Sequence, residues 1–316
     1  MKKITVIILL YNNSLDSILM TLKSIIKQDF IDYDIILADD SSQKQYWNEI
    51  EFFLKQHSFT EYHIIKNKRN IGTVRNYLNA AIKASGKYLK PIGPGDFFYD
   101  ENTLLNIYNF LETNEYDFGF GLLKSYKIGT DGFIYENGFT APIDINPYVN
   151  YNYNKIKKNI VLRGDYICGA TMFGKREFII EYLNKVSYSS RITEDIMQVL
   201  VALDEKPIPL LNEYILFYEV GTGISTKRKV DNKKDQLTID QELFWKYIKN
   251  NYSNDSALLN RADGLLKVYN SKGKIKKNII MMIYDFPGFC IKTIRKYQRN
   301  KKGLQIREGF LKGDIK

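Results

Sequence analysis

In ITVIILLYNNSLDSILMTLKSIIKQ, residues 4–28, two periodicities meet. Ile4 to Leu10 is a continuous aliphatic and β-branched run, the pattern of a strand covered on both faces in a parallel sheet. After the turn Tyr11-Asn12-Asn13, Ser14 can cap a helix whose apolar residues Leu15, Ile18, Leu19, Leu22, Ile25 and Ile26 recur at three- and four-residue spacings. The lysines at 2 and 3 ahead of the apolar run imitate a signal peptide. No small-residue cleavage site follows, so the run reads as a first strand.

The strand-turn-helix unit then repeats in type. Tyr33 to Ala38 reads as a strand ending in Asp39-Asp40-Ser41-Ser42, and Tyr46, Trp47, Ile50, Phe53 and Leu54 mark the helix after it. Tyr62 to Ile65 is a short strand, followed by a helix through Val74, Tyr77, Leu78 and Ala81 that closes at Gly86. Tyr88 to Ile92 is the next strand, with a helix through Leu104, Leu105, Tyr108 and Leu111 behind it. This alternation predicts a doubly wound α/β sheet whose ligand sits at the carboxyl ends of the strands.

Beyond Tyr116 the pattern changes. Leu122 to Tyr135 reads as a hairpin around Thr130-Asp131-Gly132, 137–158 as a long ordered loop rich in Asn, Pro and Tyr, and 235–270 as amphipathic helix. The last 46 residues, 271–316, hold 13 Lys/Arg against 3 Asp/Glu, so they carry the whole formal net charge of +10. Pro287-Gly288 is expected to break the apolar part of this tail. No stretch has the ~18 apolar residues needed to cross a bilayer. Two distant cysteines, Cys168 and Cys290, read as reduced structural thiols, which makes a cytoplasmic location the default.

Chemistry concentrates at the predicted strand ends. Asp39-Asp40, beside Tyr11-Asn12 of the neighbouring turn, could accept hydrogen bonds from a ribose or a base; the alternative is a locally capped Asp-Ser turn. The stretch NKRNIGTVRN, residues 67–76, opens a helix where free amides and arginines favour a diphosphate. Neither G-x-G-x-x-G nor G-x-x-x-x-G-K-[ST] occurs, which removes the main support for a dehydrogenase or a P-loop NTPase.

Taken in order, the first stretch, IILADDSS, NKRNIGTVRNYLNAAIKASGKYLKPIGPGD and Arg191-Ile192-Thr193-Glu194-Asp195 resemble family 2 glycosyltransferases of the GT-A fold over residues 3 to about 226. The resemblance implies a catalytic domain over 1–226, with a nucleotide-binding half at 1–115 and an acceptor half at 116–226, and a helical basic extension at 227–316. It implies a nucleotide-sugar donor, a UDP-sugar, bound by Tyr11, Asn12, Asp39, Asp40, Arg75 and Asp96. Asp195 falls on the catalytic base of an inverting transfer, with Glu194 and Thr171 on the acceptor side. A glycan or lipid-linked oligosaccharide of surface polysaccharide synthesis is the implied acceptor.

Two departures bear on the metal. The family's Asp-x-Asp, which holds Mn²⁺ or Mg²⁺, is here Gly93-Pro94-Gly95, leaving Asp96, and the family's closing His is Gly221. Lys227 and Arg228 are candidates to stabilise the leaving diphosphate in the metal's place, with Lys90 and Arg75 as alternatives. The basic tail reads either as an interfacial segment on an anionic membrane or as a helix packed on the catalytic domain, and no nucleic-acid module accompanies it. A catalytically inactive subunit that binds a nucleotide sugar or a partner enzyme is the rival reading. The depleted Asp-x-Asp favours it and the retained Thr193-Glu194-Asp195 opposes it. A nucleotidyltransferase on a related fold would need a Gly-rich activating loop that this sequence lacks.

Overall fold

The computed structural model describes residues 2–129, 134–221, 235–252, 254–301, 303 and 305–306. Its centre is a mixed sheet. Strands β1 (Ile4–Leu10), β2 (Tyr33–Asp39), β3 (Tyr62–Lys66) and β4 (Tyr88–Ile92) lie parallel in the order β3-β2-β1-β4. The order reverses beside β1, so the loops after β1 and β4 diverge and leave a crevice between them. Helices α1 (Leu15–Ile26), α2 (Trp47–Gln56), α3 (Thr73–Lys83) and α4 (Thr103–Thr113) connect and flank these strands, as the periodicity predicts. Ser14 caps α1 by accepting from the Ser17 amide.

The second half closes the sheet. A two-residue strand β5 (Phe97–Phe98) follows the loop after β4, and β6 (Phe118–Ile128) pairs antiparallel with β7 (Ile134–Asn137). The hairpin is therefore present and begins four residues before the expected Leu122; its turn lies outside the described residues. The segment 137–158 is not all loop. It contains α5 (Asn146–Val149) and α6 (Tyr153–Lys158), the latter capped by Asn152, because local polar caps nucleate turns that apolar periodicity does not reveal.

Next come β8 (Met172–Lys175), α7 (Arg176–Ser187), α8 (Met197–Leu203) and β9 (Leu210–Glu219). Strand β8 pairs antiparallel with both β4 and β6, whereas β9 runs parallel to β6 and antiparallel to β5.

The extension folds as α9 (Gln236–Asn251), α10 (Ser256–Asn270), α11 (Lys274–Tyr284) and α12 (Phe286–Asn300), ending in a short β10 (Gln305–Ile306) on β7. Phe244, Trp245, Ile248, Leu258, Ala262 and Leu265 join the same buried cluster as Tyr77, Tyr182 and Leu200. The break between α11 and α12 falls at Asp285, before the expected Pro287-Gly288. Pro287 lies in the first turn of α12 rather than interrupting it, and Asp285 caps that helix through the Gly288 amide at 3.2 Å.

Candidate active site

The donor side forms where β1 and β2 end. Asn12 adopts φ +53°, donates its amide to Ser42 Oγ at 2.9 Å, and accepts the Gln43 amide at 2.8 Å, which locks the two strand-end loops together. Asp39 is buried against the Ser42 amide and hydroxyl. It contributes to a concave surface with Asn13, Lys44, Tyr46 and Trp47, while the Tyr11 ring is exposed nearby in sequence. Aromatic faces beside a buried acceptor are what a planar base with an N–H edge requires.

Asp40 has a different position from Asp39. Its oxygens accept the amides of Ile71 and Gly72, both at 2.8 Å, and the Asn67 side chain at 3.2 Å. The carboxylate anchors the loop before α3 and does not face the crevice as a free acceptor. Arg75 is exposed in the first turn of α3, and its neighbour Asn76 is buried, donating to the Ala38 carbonyl at 2.8 Å. Lys227 and Arg228 lie outside the described residues.

The loop after β4 brings Asp96 to the crevice. Asp96 Oδ1 accepts the Glu219 amide at 3.0 Å, and burial pushes its carboxyl up to about 7, against the pull of that amide and of Lys90. Lys90 is itself fully buried. It donates to the carbonyls of Pro91 at 2.7 Å and Ala170 at 2.5 Å, and burial draws its ammonium down to about 7 against the attraction of Asp96 and Cys168.

Gly95 has φ +100°, and the Glu219 carboxylate lies where a Cβ at that position would go, so β9 covers the place of the family's second aspartate. Gly93 and Gly95 offer no side-chain ligand and a cation neighbours Asp96. Among the described residues no group of three or more His, Cys, Asp or Glu converges. Asp96 and the adjacent Glu219 carboxylate are too few to hold a divalent ion without the phosphates of a donor.

Asp195 sits on the 3₁₀ turn Glu194–Ile196 that leads into α8, with Glu194 beside it, both half-buried. A Cβ added to Gly169 would come 2.9 Å from Asp195 Cβ and 3.3 Å from Glu194 Oε1, so the Cys168–Ala170 backbone lies directly against the pair. Burial raises both carboxyls; the Asp195 charge raises Glu194 further, whereas the Arg295 guanidinium on α12 draws Asp195 back down. The pair is thereby split so that Asp195 is the one more readily ionised.

Gln198 fixes the turn from below, donating to the Asp195 carbonyl at 2.9 Å and exchanging bonds with the Ile167 amide and carbonyl at 2.7 and 3.1 Å. Thr171 is completely buried. Its hydroxyl donates to the Cys168 carbonyl at 2.8 Å, so it shapes the wall and presents nothing to an acceptor.

Lys90, Cys168 and Ala170 bridge the Asp96 side and the Asp195 side: Ala170 receives Lys90, and Cys168 feels the charges of both carboxylates. Arg295, Glu219 and Asp240 also belong to this region and carry no motif. The one local signal was Lys90, a charge in the middle of an apolar strand.

A mixed sheet flanked by helices, with a crevice where the strand order reverses, is the GT-A architecture. The sequence pattern of glycosyl transferase family 2 matches residues 5–183, more than half of the chain, and the chain belongs to that family. A comparison with curated protein sequences gives no match. Among solved structures, S. aureus TarS 1–349 superposes with a TM-score of 0.54 at 13% identity, covering 95% of this chain and 92% of that one. TarS 1–349 in complex with UDP-GlcNAc gives a TM-score of 0.52 at 13% identity, over 94% and 91% of the two chains.

Proposed function

We propose that the protein is an inverting glycosyltransferase that moves a hexose-type sugar from a UDP-sugar to a hydroxyl of a glycan or lipid-linked glycan. The observation that carries this reading is that the 168–170 segment lies against Asp195 at Gly169 and accepts Lys90, the neighbour of Asp96, at the Ala170 carbonyl. The UDP-GlcNAc bound by the TarS relative supports a UDP-linked donor.

In this mechanism Asp39 and the Tyr11-Asn12 turn hold the nucleoside. Asp195 takes the proton of the acceptor hydroxyl as its oxygen attacks the anomeric carbon from the face opposite the diphosphate. The bond to the diphosphate breaks with its electron pair on the departing oxygen, so the configuration inverts. The charge that develops there meets cationic side chains: Lys90 behind Asp96, with Lys227 and Arg228 as further candidates. The chemistry fits a step of surface polysaccharide synthesis, in which the acceptor is presented at the cytoplasmic face of a membrane.

Calorimetric titration of UDP and UDP-sugars, paired with turnover of Asp195→Asn, tests the reading. Donor binding lost in Asp39→Ala but kept in Asp195→Asn, with turnover abolished, is the expected result. Donor binding without turnover in the unmodified protein, across donors and acceptors, would leave the inactive nucleotide-sugar-binding subunit standing instead.

A further inference from the structure

Resting on the assignment of Asp195 as the base, a second carboxylate has a role that no motif announces. Asp240, on α9 of the helical extension, is 1% exposed. Its Oδ2 accepts from the Ser190 hydroxyl at 2.9 Å, the Arg191 amide at 2.9 Å, the Ile192 amide at 2.7 Å and, more weakly, the Thr193 hydroxyl at 3.4 Å. Its Oδ1 accepts from Gln236 at 2.7 Å. Ser190, Arg191 and Ile192 thus donate to one buried oxygen, Thr193 is tied to the Ser190 hydroxyl, and the next two residues are Glu194 and Asp195. Bonds to an ionised acceptor are short and directional, so they fix a backbone more firmly than neutral ones.

The clamped segment is also tied on its other side. The Arg191 carbonyl accepts the Val74 amide at 3.1 Å at the start of α3, and Arg191 Nη2 donates to the Asn70 carbonyl at 2.9 Å. The carboxylate pair is therefore gripped before by Asp240 and after by Gln198. Both lie beyond the family-matched residues 5–183; Gln198 is on α8, whereas Asp240 comes from α9 of the helical extension.

We propose that Asp240 is a positioning residue for glycosyl transfer: through this carboxylate the helical extension holds the loop that sets Asp195 against the acceptor hydroxyl. The extension is on this account a working part of the catalytic centre. Displacing a general base by about 1 Å costs ~10²-fold in rate while leaving the donor pocket untouched.

The test uses the full-length protein and follows UDP release from UDP-GlcNAc, UDP-glucose and UDP-galactose with water as acceptor, since hydrolysis needs the same base. Asp240→Ala is expected to lower kcat about 100-fold with donor KM and UDP affinity within roughly twofold. Asp240→Asn, in which an oxygen can still face the loop, is expected to recover most of the rate. Wild-type kcat in Asp240→Ala overturns the inference, and so does an equal loss in both variants accompanied by weaker UDP binding.

Should Asp240→Ala lose its folded thermal transition, Ser190→Ala decides. It removes one donor from the clamp and is expected to lower kcat several-fold at unchanged KM; unchanged kcat overturns the proposal. Full activity in Asp195→Asn removes the base assignment itself and is distinguishable from failure at Asp240 alone.

Discussion

The Glu219 amide donates to Asp96 Oδ1 at 3.0 Å, joining the last residue of β9 to the loop after β4. The bond holds the remaining carboxylate of that loop in place, and the Glu219 side chain covers Gly95. Buried Lys90 is the candidate cation there, its ammonium drawn down to about 7 by burial. UDP binding is accordingly expected to survive EDTA, and Lys90→Met to weaken it about tenfold, or ~1.4 kcal/mol. Calorimetry with and without Mn²⁺ checks both; complete, Mn²⁺-reversible loss of binding in EDTA would falsify the cationic account.

The pH dependence follows from the carboxylate pair. A base works only when ionised, and burial holds Asp195 above the ordinary carboxylate value of ~4. Activity should therefore fall on the acid side at a higher pH than for an exposed carboxylate. Asp195 is faced by Glu194 from its own turn, by Cys168 and Tyr218 from the adjoining wall, and by Arg295 from α12. Of these only Arg295 favours the ionised form, so Arg295→Gln should move the acid limb of the kcat profile to higher pH. An unmoved limb in Arg295→Gln would mean that another group is the base.

A buried ion pair anchors the tail. Arg261 on α10 lies 3.4 Å from Asp285, with side chains 7% and 2% exposed, and also donates to the Val161 carbonyl. Arg261→Met leaves the Asp285 carboxylate buried beside apolar atoms, which costs about 3–5 kcal/mol. A lower thermal midpoint is the expected readout, and replacing both partners with apolar residues should recover much of it.

The outer side of the tail remains apolar and basic. Ile275, Ile279, Met282, Ile283, Phe286 and Tyr297 are each at least half exposed, among the exposed lysines Lys272, Lys274, Lys276 and Lys296. Such a surface suits the interface of an anionic bilayer. Sedimentation with phosphatidylserine vesicles should show binding that weakens with salt and is lost in an Ile279→Ser, Ile283→Ser, Phe286→Ser variant. Equal sedimentation of that variant would assign the surface to something other than lipid.

Local periodicity and composition determined much of this molecule. The run Ile4–Leu10 and the Ser14 cap forced a strand and a helix, and Asp39 was legible as a strand-end acid because β2 stops there. The same reading missed the turns inside 137–158, which polar caps specify. Nor could it show that Asp40 accepts the Ile71 and Gly72 amides, or that the Thr171 hydroxyl donates to the Cys168 carbonyl. A residue type at a strand end says that a group can accept or donate. Only packing decides which partner reaches it first.

Tertiary structure alone brought Gly169 onto Asp195, Glu219 over Gly95, and Asp240 beneath residues 190–193. Each of these contacts joins segments tens of residues apart, so each depends on how sheet and helices close rather than on any local pattern. The sequence by itself determined that the chain is an α/β fold with acids at its strand ends. What those acids touch, and that the basic extension shares the buried core of the sheet, was decided by packing: a charge removed from water must find its partner wherever the fold presents one.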